Sequence, residues 1–229
     1  MDAVYIPLVN SLHREWTLKA LASGKHVLCE KPLALNAGEA EEMAAAARSA
    51  DRLLMEALMY RFHPRTNAVV ERARQAPPPA AWISFGFPMR AAGNYRAVAE
   101  LGGGALYDVG SYCVSLARWL YGEPDLIRID AARIDGVDWT VSATLGFPQG
   151  QRAFLFFSLD SPEVQELRFS GLRLRQPFTA WRDPEDPYRL MVEAFSAAIL
   201  AGDPAAPLPV EESIANLRVL DRLRGLLPS

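Results

Sequence analysis

The sequence predicts an α/β unit followed by an α+β unit: a partial, doubly wound parallel sheet, then an open, mostly antiparallel sheet with helices closing the chain. Three observations carry this. Residues 1–56 alternate short apolar runs with helix-patterned segments, the arrangement that makes right-handed parallel crossovers. The triplet Pro77-Pro78-Pro79 then interrupts any helix or central strand. Beyond it come aromatic, alternating segments separated by turn residues, as in an antiparallel sheet. One boundary follows, dividing 1–75 from 76–229.

Each element has its own justification. AVYIPL, residues 3–8, reads as a buried strand, and Asn10 and Ser11 offer a cap for a helix that runs to Ser23 with Leu12, Trp16 and Ala20 on one side. Gly24 suits the position after a helix end. His26–Cys29 is the next strand. Asn36 with Glu39 resembles a capping box ahead of an alanine-rich helix to about Ala50. Leu53–Glu56 is a third strand, and Pro64–Gln75 a helix. In the second unit the expected strands are Trp82–Phe87, Leu126–Ala132, Asp138–Phe147 and Gln151–Leu159. The turn Pro148-Gln149-Gly150 joins the last two as a hairpin. Val164–Ser170 and Leu172–Arg175 are weaker strand patterns around Gly171. Helices over about 187–201 and 210–227 close the chain. Met191, Ala194, Phe195 and Ala198 face inward from the first, and Ile214, Leu217, Leu220 and Leu227 from the second.

Composition narrows the function. Half of the 229 residues are hydrophobic, enough for a real core, and a net charge of −3 argues against nucleic acid or an anionic membrane as partner. No apolar run approaches the ~18 residues of a membrane span, and no secretory leader pattern opens the chain. Cys29 and Cys113 are single and distant, which suits reduced thiols in a cytoplasm. His13, His26 and His63 show no metal-ligand spacing, so no metal is expected.

Two stretches carry chemistry. Glu30-Lys31-Pro32 follows a strand at its carboxyl end, where open α/β sheets bind ligands; the alternative is an ordinary solvated charge pair. Around LGGGALYDVGSYCVSLARWLYG, Gly102–Gly104 read as a loop. A helix follows, with Val109, Cys113, Leu116 and Leu120 as its apolar stripe and Gly122 and Pro124 as its stop. Asp108 and Tyr112, four apart, share one face. They read either as part of a site or as an N-cap and a core tyrosine. Asn94 and Arg96, in the preceding loop, read either as ligands for hydroxyl groups or as solvent-facing loop polarity. MYRFHP, around Arg61, reads as a loop whose aromatics pack under the next helix or as part of the site.

Together, P-x-x-N-x-x-H after the first strand, E-K-P after the second and G-G-G-A-L-x-D-x-G resemble the Gfo/Idh/MocA oxidoreductases, over most of the chain. The resemblance implies a partial dinucleotide-binding (Rossmann-type) domain over 1–75 and a substrate-binding and oligomerisation domain over 76–229. It implies NAD or NADP as cofactor and hydride transfer to or from a sugar, polyol or related alcohol, with Lys31, Asp108 and Tyr112 as catalytic residues. Many members carry histidine where this chain has Tyr112. The tyrosine resembles the branch of glucose–fructose oxidoreductase, NADP-dependent xylose dehydrogenases and dihydrodiol dehydrogenases, in which it gives or takes the proton. On the same footing Leu8, Asn10, His13, Glu30, Lys31 and Arg61 form the nicotinamide side. Lys31, Asn94, Arg96, Asp108 and Tyr112 hold substrate, and the Lys31 ammonium is expected to lower the Tyr112 phenol's pKa.

The family's first strand and G-x-G-x-x-G turn would precede Met1, so the chain is read as N-terminally truncated, and its 229 residues alone are expected to bind NAD(P)H weakly. The segment from Ser170 to Trp181 is expected to be shorter than the family's. A homo-oligomer is expected through the open face of the second sheet, with Trp139, Phe147, Phe154 and Phe156 on it. The alternative function is a non-catalytic binding or dimerisation module.

Overall fold

The computed structural model describes residues 1–90, 93–179 and 184–227; Trp181, one end of the segment expected to be short, lies outside them. Strands β1 (Ala3–Ile6), β2 (His26–Cys29) and β3 (Leu54–Glu56) form a parallel sheet in the order 1-2-3. The first crossover is α1 (His13–Ala22), entered through a short 3-10 turn at Asn10–Leu12, and the second is α2 (Ala37–Ala50). Val27, Leu28 and Cys29 are all buried, as a central parallel strand requires. Asn36 caps α2 by accepting from the Glu39 N–H at 2.9 Å. The Glu39 carboxylate reaches the Leu35 N–H rather than that of Asn36, one residue off a capping box. Helix α3 (Pro64–Gln75) leads into the second sheet.

That sheet has six strands in the order β5-β6-β7-β4-β8-β9: β4 (Ala80–Pro88), β5 (Leu126–Ile134), β6 (Val137–Gly146), β7 (Arg152–Ser158), β8 (Asp160–Phe169) and β9 (Leu172–Arg175). Only β4 and β7 pair in parallel; the other neighbours are antiparallel. The expected α/β plus α+β architecture is thus observed. Its inner face presents Ile83, Phe85, Val141, Leu155, Phe157 and Leu167, all buried. Against it lies α4 (Ser111–Tyr121), whose Cys113, Leu116 and Leu120 are buried as the stripe predicts. The outer face carries Trp82 and Phe154, which stack at 5.4 Å and stay exposed. Phe147 does not join them: just beyond the end of β6 it turns inward, fully buried, with its ring 5.0 Å from that of Tyr121.

Helices α5 (Pro187–Ala201) and α6 (Val210–Gly225) close the chain. Helix α6 packs against both α4 and α2. Its Asp221 accepts from the Ala37 N–H at 2.9 Å, and Arg218 pairs with Glu41 at 2.8 Å. One continuous apolar core runs from the small sheet to the large one, which fixes the carboxyl end of β2 against the start of α4.

Candidate active site

The site begins where β2 ends. Glu30-Lys31-Pro32 leaves the sheet with a cis bond between Lys31 and Pro32. The loop's backbone is held by side chains from four directions. The Pro32 carbonyl lies 2.8 Å from His13 Nδ1, and the Leu33 N–H donates to Glu56 Oε1 at 2.9 Å. The Leu35 N–H donates to Glu39, and the Tyr107 hydroxyl donates to the Leu35 carbonyl at 2.6 Å. With its loop so restrained, Lys31 has a fixed direction of reach.

What Lys31 reaches is Asp108. Its Nζ donates to the Asp108 carboxylate at 2.7 Å and to the Asp108 carbonyl at 2.7 Å. Arg96 Nε donates to the other carboxylate oxygen at 2.6 Å. Asp108 sits in a wide π-type turn, Leu106–Gly110, that feeds α4, so it is a buried ion-pair centre and not the N-cap of an ordinary helix. Burial alone would raise its pKa; the Lys31 ammonium and Arg96 guanidinium outweigh burial and hold the carboxyl below the usual carboxylate range. Two cations around one anion leave the cluster with a net positive charge.

Tyr112 stands one turn further on, in an aromatic box. Its ring centroid is 5.9 Å from that of Tyr60, 5.4 Å from Phe85 and 5.4 Å from Phe178. Lys31 Nζ lies 5.1 Å from the ring centroid, over its face. The hydroxyl donates to Met59 Sδ at 3.5 Å. The expected depression of the phenol's pKa is not found: the ammonium meets the ring rather than the oxygen. Burial, followed by Tyr188, Glu30, Asp108 and Glu56, pushes the phenol well above its ordinary value.

These groups line a cavity of about 590 Å³ at the carboxyl ends of β1 and β2. Leu8, Asn10, Glu30, Lys31, Arg96, Asp108 and Tyr112 all contribute to it. Asn10 braces the glycine loop from beneath, its Nδ2 donating to the Gly102 carbonyl at 2.7 Å. Gly102 has φ +76°, and a Cβ there would come within 2.8 Å of Asn10 Cβ, so the loop closes this tightly only as glycine.

Three expected residues do not face the cavity. His13 is fully buried, its Nδ1 against the Pro32 carbonyl and its Nε2 2.9 Å from that of Leu8; it braces two loops. The Arg61 guanidinium lies 4.1 Å from the centroid of the Trp119 ring, in a separate depression. Asn94 spends its side chain on the Arg96 N–H, as the cap of a short turn. Sequence reasoning in turn missed Tyr5, whose hydroxyl donates to Glu30 at 2.5 Å, and Tyr188 of α5, whose pKa burial pushes up to about 12. It also missed Phe87, Tyr95, Glu163 and Gln165 on the far wall. For the strand residues the only available signal was alternation along β4 and β8.

The cavity suits a flat ring beside a small polyhydroxylated molecule. Its β1 side offers Pro7, Leu8 and Val9, and its opposite side the Lys31–Asp108–Arg96 cluster. A nicotinamide ring on the first side and a carbinol on the second fit this division.

Residues 1–58 match the oxidoreductase family profile described as an NAD-binding Rossmann fold, and residues 72–173 match the GFO/IDH/MocA C-terminal domain. D-xylose 1-dehydrogenase (NADP(+)) 2 of Haloferax volcanii is 35% identical over 253 residues, covering 97% of this chain and 77% of that protein. A 3-ketoreductase from Actinomadura kijaniata, solved with NADP and TDP-benzene, superposes with a TM-score of 0.88 at 28% identity, over 99% of this chain and 78% of the other. The aldose-aldose oxidoreductase of Caulobacter crescentus, solved with glycerol, gives a TM-score of 0.86 at 25% identity, over 99% and 77%.

Proposed function

The chain belongs to the Gfo/Idh/MocA oxidoreductase family, and we propose that Lys31, Asp108 and Tyr112 are the residues with which it works on its substrate. As a member it is an NAD(P)-dependent oxidoreductase that transfers a hydride to or from a sugar, polyol or related alcohol. The relatives are enzymes, and none of them supports the alternative of a non-catalytic module.

The nicotinamide nucleotide, when bound, supplies the two-electron acceptor or donor. The residues that would hold its reactive end are Leu8, Asn10 and Glu30, on the cavity side away from Asp108. Lys31 spends two N–H groups on Asp108 and keeps a third for the substrate oxygen. Its charge favours that oxygen as it gains alkoxide character. Asp108 fixes the ammonium, and Arg96 fixes Asp108. The Tyr112 hydroxyl rests on a thioether, a weak acceptor that it gives up readily for a substrate oxygen. Held protonated by burial, it is the proton donor when a carbonyl is reduced; in the reverse direction the carbinol proton passes to the phenolate, which forms only after Tyr112 has given its own proton to solvent.

The observation that carries this reading is the Lys31–Asp108–Arg96 cluster at the carboxyl end of β2, with the Tyr112 ring against Lys31. Replacement of Lys31 by alanine in the full-length protein tests it: turnover on the best aldose or polyol should fall about 10²-fold or more, with cofactor affinity changed far less. Turnover within about twofold of wild type would remove Lys31 from the chemistry.

The same reading assigns residues 1–75 to the nucleotide and 76–229 to substrate and assembly, with a cytoplasmic location. A homo-oligomer through the outer face of the large sheet is supported by its exposed Trp82 and Phe154.

A further inference from the structure

Glu56 ends β3 directly beneath the lysine loop, paired in register with Cys29. It is 1% exposed. Its Oε1 accepts from the Leu33 N–H at 2.9 Å, two residues beyond Lys31. Its Oε2 is buried and, among the described residues, makes no hydrogen bond of settled geometry. The Ser213 hydroxyl of α6 faces the carboxyl, and its Oγ likewise lacks another partner. The charged and titratable groups that face Glu56 are Lys31 and Glu30 from the loop, Cys29 from β2 and Tyr112 from α4. None of them bonds to it, and Lys31 is already committed to Asp108.

A fully buried carboxylate with only two neutral donors, the Leu33 N–H and the Ser213 O–H, and no bonded cation is disfavoured against the neutral acid. Leu33 and Ser213 can pair with the carboxyl in either form, Ser213 donating to the carboxylate or accepting from the acid, so the enclosure without a bonded cation is what favours the acid. We infer that Glu56 is a positioning residue for Lys31 and acts as the neutral acid, holding the lysine loop through Leu33 without setting a second anion beneath the ammonium. An ionised Glu56 would compete with Asp108 and the substrate oxygen for the Lys31 charge; a neutral one keeps the loop rigid and leaves that charge free. Burial, the largest influence, raises the carboxyl's pKa and outweighs the Ser213 and Leu33 hydrogen bonds and the Lys31 charge, which lower it.

The inference rests on the reading of Lys31 as the group that meets the substrate oxygen. Its test therefore includes a measurement independent of turnover. Infrared spectra of the full-length protein should show a protonated-carboxyl stretch that persists at pH 7 and vanishes in Glu56→Gln. The amide reproduces both contacts of the acid, so Glu56→Gln should keep kcat within about twofold and leave the pH profile unshifted. Glu56→Ala should lower kcat about 10- to 100-fold through misplacement of Lys31, with the cofactor KM moving less. Absence of the band at pH 7, a Gln variant as impaired as Ala, or an Ala variant with wild-type kcat would each overturn the inference. If Glu56→Ala fails to fold, the band and the Gln variant decide alone. If instead Lys31→Ala keeps full turnover while the band is present, the reading of Lys31 fails and the protonation of Glu56 stands.

Discussion

Tyr112→Phe removes one oxygen and leaves the ring among Tyr60, Phe85 and Phe178, so packing is kept and proton transfer is lost. The expected result is a fall in turnover of about 10²- to 10⁴-fold with cofactor affinity little changed, read from steady-state kinetics on a sugar or diol. Because burial raises the phenol's pKa, it stays protonated through neutral and mildly alkaline pH. The rate of carbonyl reduction should therefore show no loss from this group between about pH 6 and 9, where an unperturbed phenol of pKa about 10 would begin to ionise at the upper end. A reductive limb falling near pH 7 in wild type and absent in Tyr112→Phe would contradict this. At this scale the motifs located Lys31, Asp108 and Tyr112, because a lysine at a strand's carboxyl end and an acid behind three glycines are local facts. They did not reveal that His13, Arg61 and Asn94 spend their side chains on carbonyls, on Trp119 and on a backbone N–H. Those partners are set by tertiary packing, and spacing along the chain carries no record of them.

The element on which the site depends is the glycine loop, and a strand of the second sheet holds it. Asp138 of β6 accepts from the Leu106 N–H at 2.6 Å. Gly104, at φ +111°, lets its carboxylate approach: a Cβ there would sit 2.3 Å from Asp138 Oδ1. Gly104→Ala should thus destabilise the protein and lower turnover together, as thermal melts and kinetics would show. Burial, against the Leu106 N–H and nearby arginines, raises the Asp138 pKa to about 6. Because this pKa lies above the unfolded value, the stability Asp138 contributes is greatest below pH ~4 and is lost as pH rises through about 6. Relative to Asp138→Asn, wild type should lose about 3 kcal/mol of stability between pH 4 and 6 and then level off. Denaturant titrations across that range would show it, and a difference independent of pH would refute it. Element types and most boundaries were legible from periodicity and stop signals: His26–Cys29, Pro64–Gln75, Leu172–Arg175 and Pro187–Ala201 match residue for residue. The wide turn at Leu106–Gly110 was not, since its sequence is also a good helix start. Strand β8 begins at Asp160, earlier than expected; Pro162 lies where the ladder to β4 shifts register and β9 does not pair.

Across the whole molecule, two sheets share one apolar core, and the cavity lies where the parallel sheet's carboxyl ends meet the glycine loop and the inner face of the large sheet. On the outer face of the large sheet Trp82 and Phe154 stay exposed. Trp82→Ser with Phe154→Ser should shift sedimentation toward monomer if that face joins copies of the chain; unchanged sedimentation of an oligomer would place the contact elsewhere. The two-part architecture was legible because the proline triplet marks a change of texture. The cavity was not, since its far wall comes from β4, β8 and α5, distant in sequence from Lys31. The most direct measurement of the central claim follows isotope through this cavity. With an aldose or polyol deuterated at the reacting carbon, the full-length wild-type protein should transfer deuterium to NAD(P)⁺ on one face of the nicotinamide. It should do so far faster than Lys31→Ala and Tyr112→Phe variants that remain folded and bind the nucleotide. Deuterium transfer by the Lys31→Ala variant at the wild-type rate, or no transfer by wild type from any aldose, polyol or diol, would contradict it.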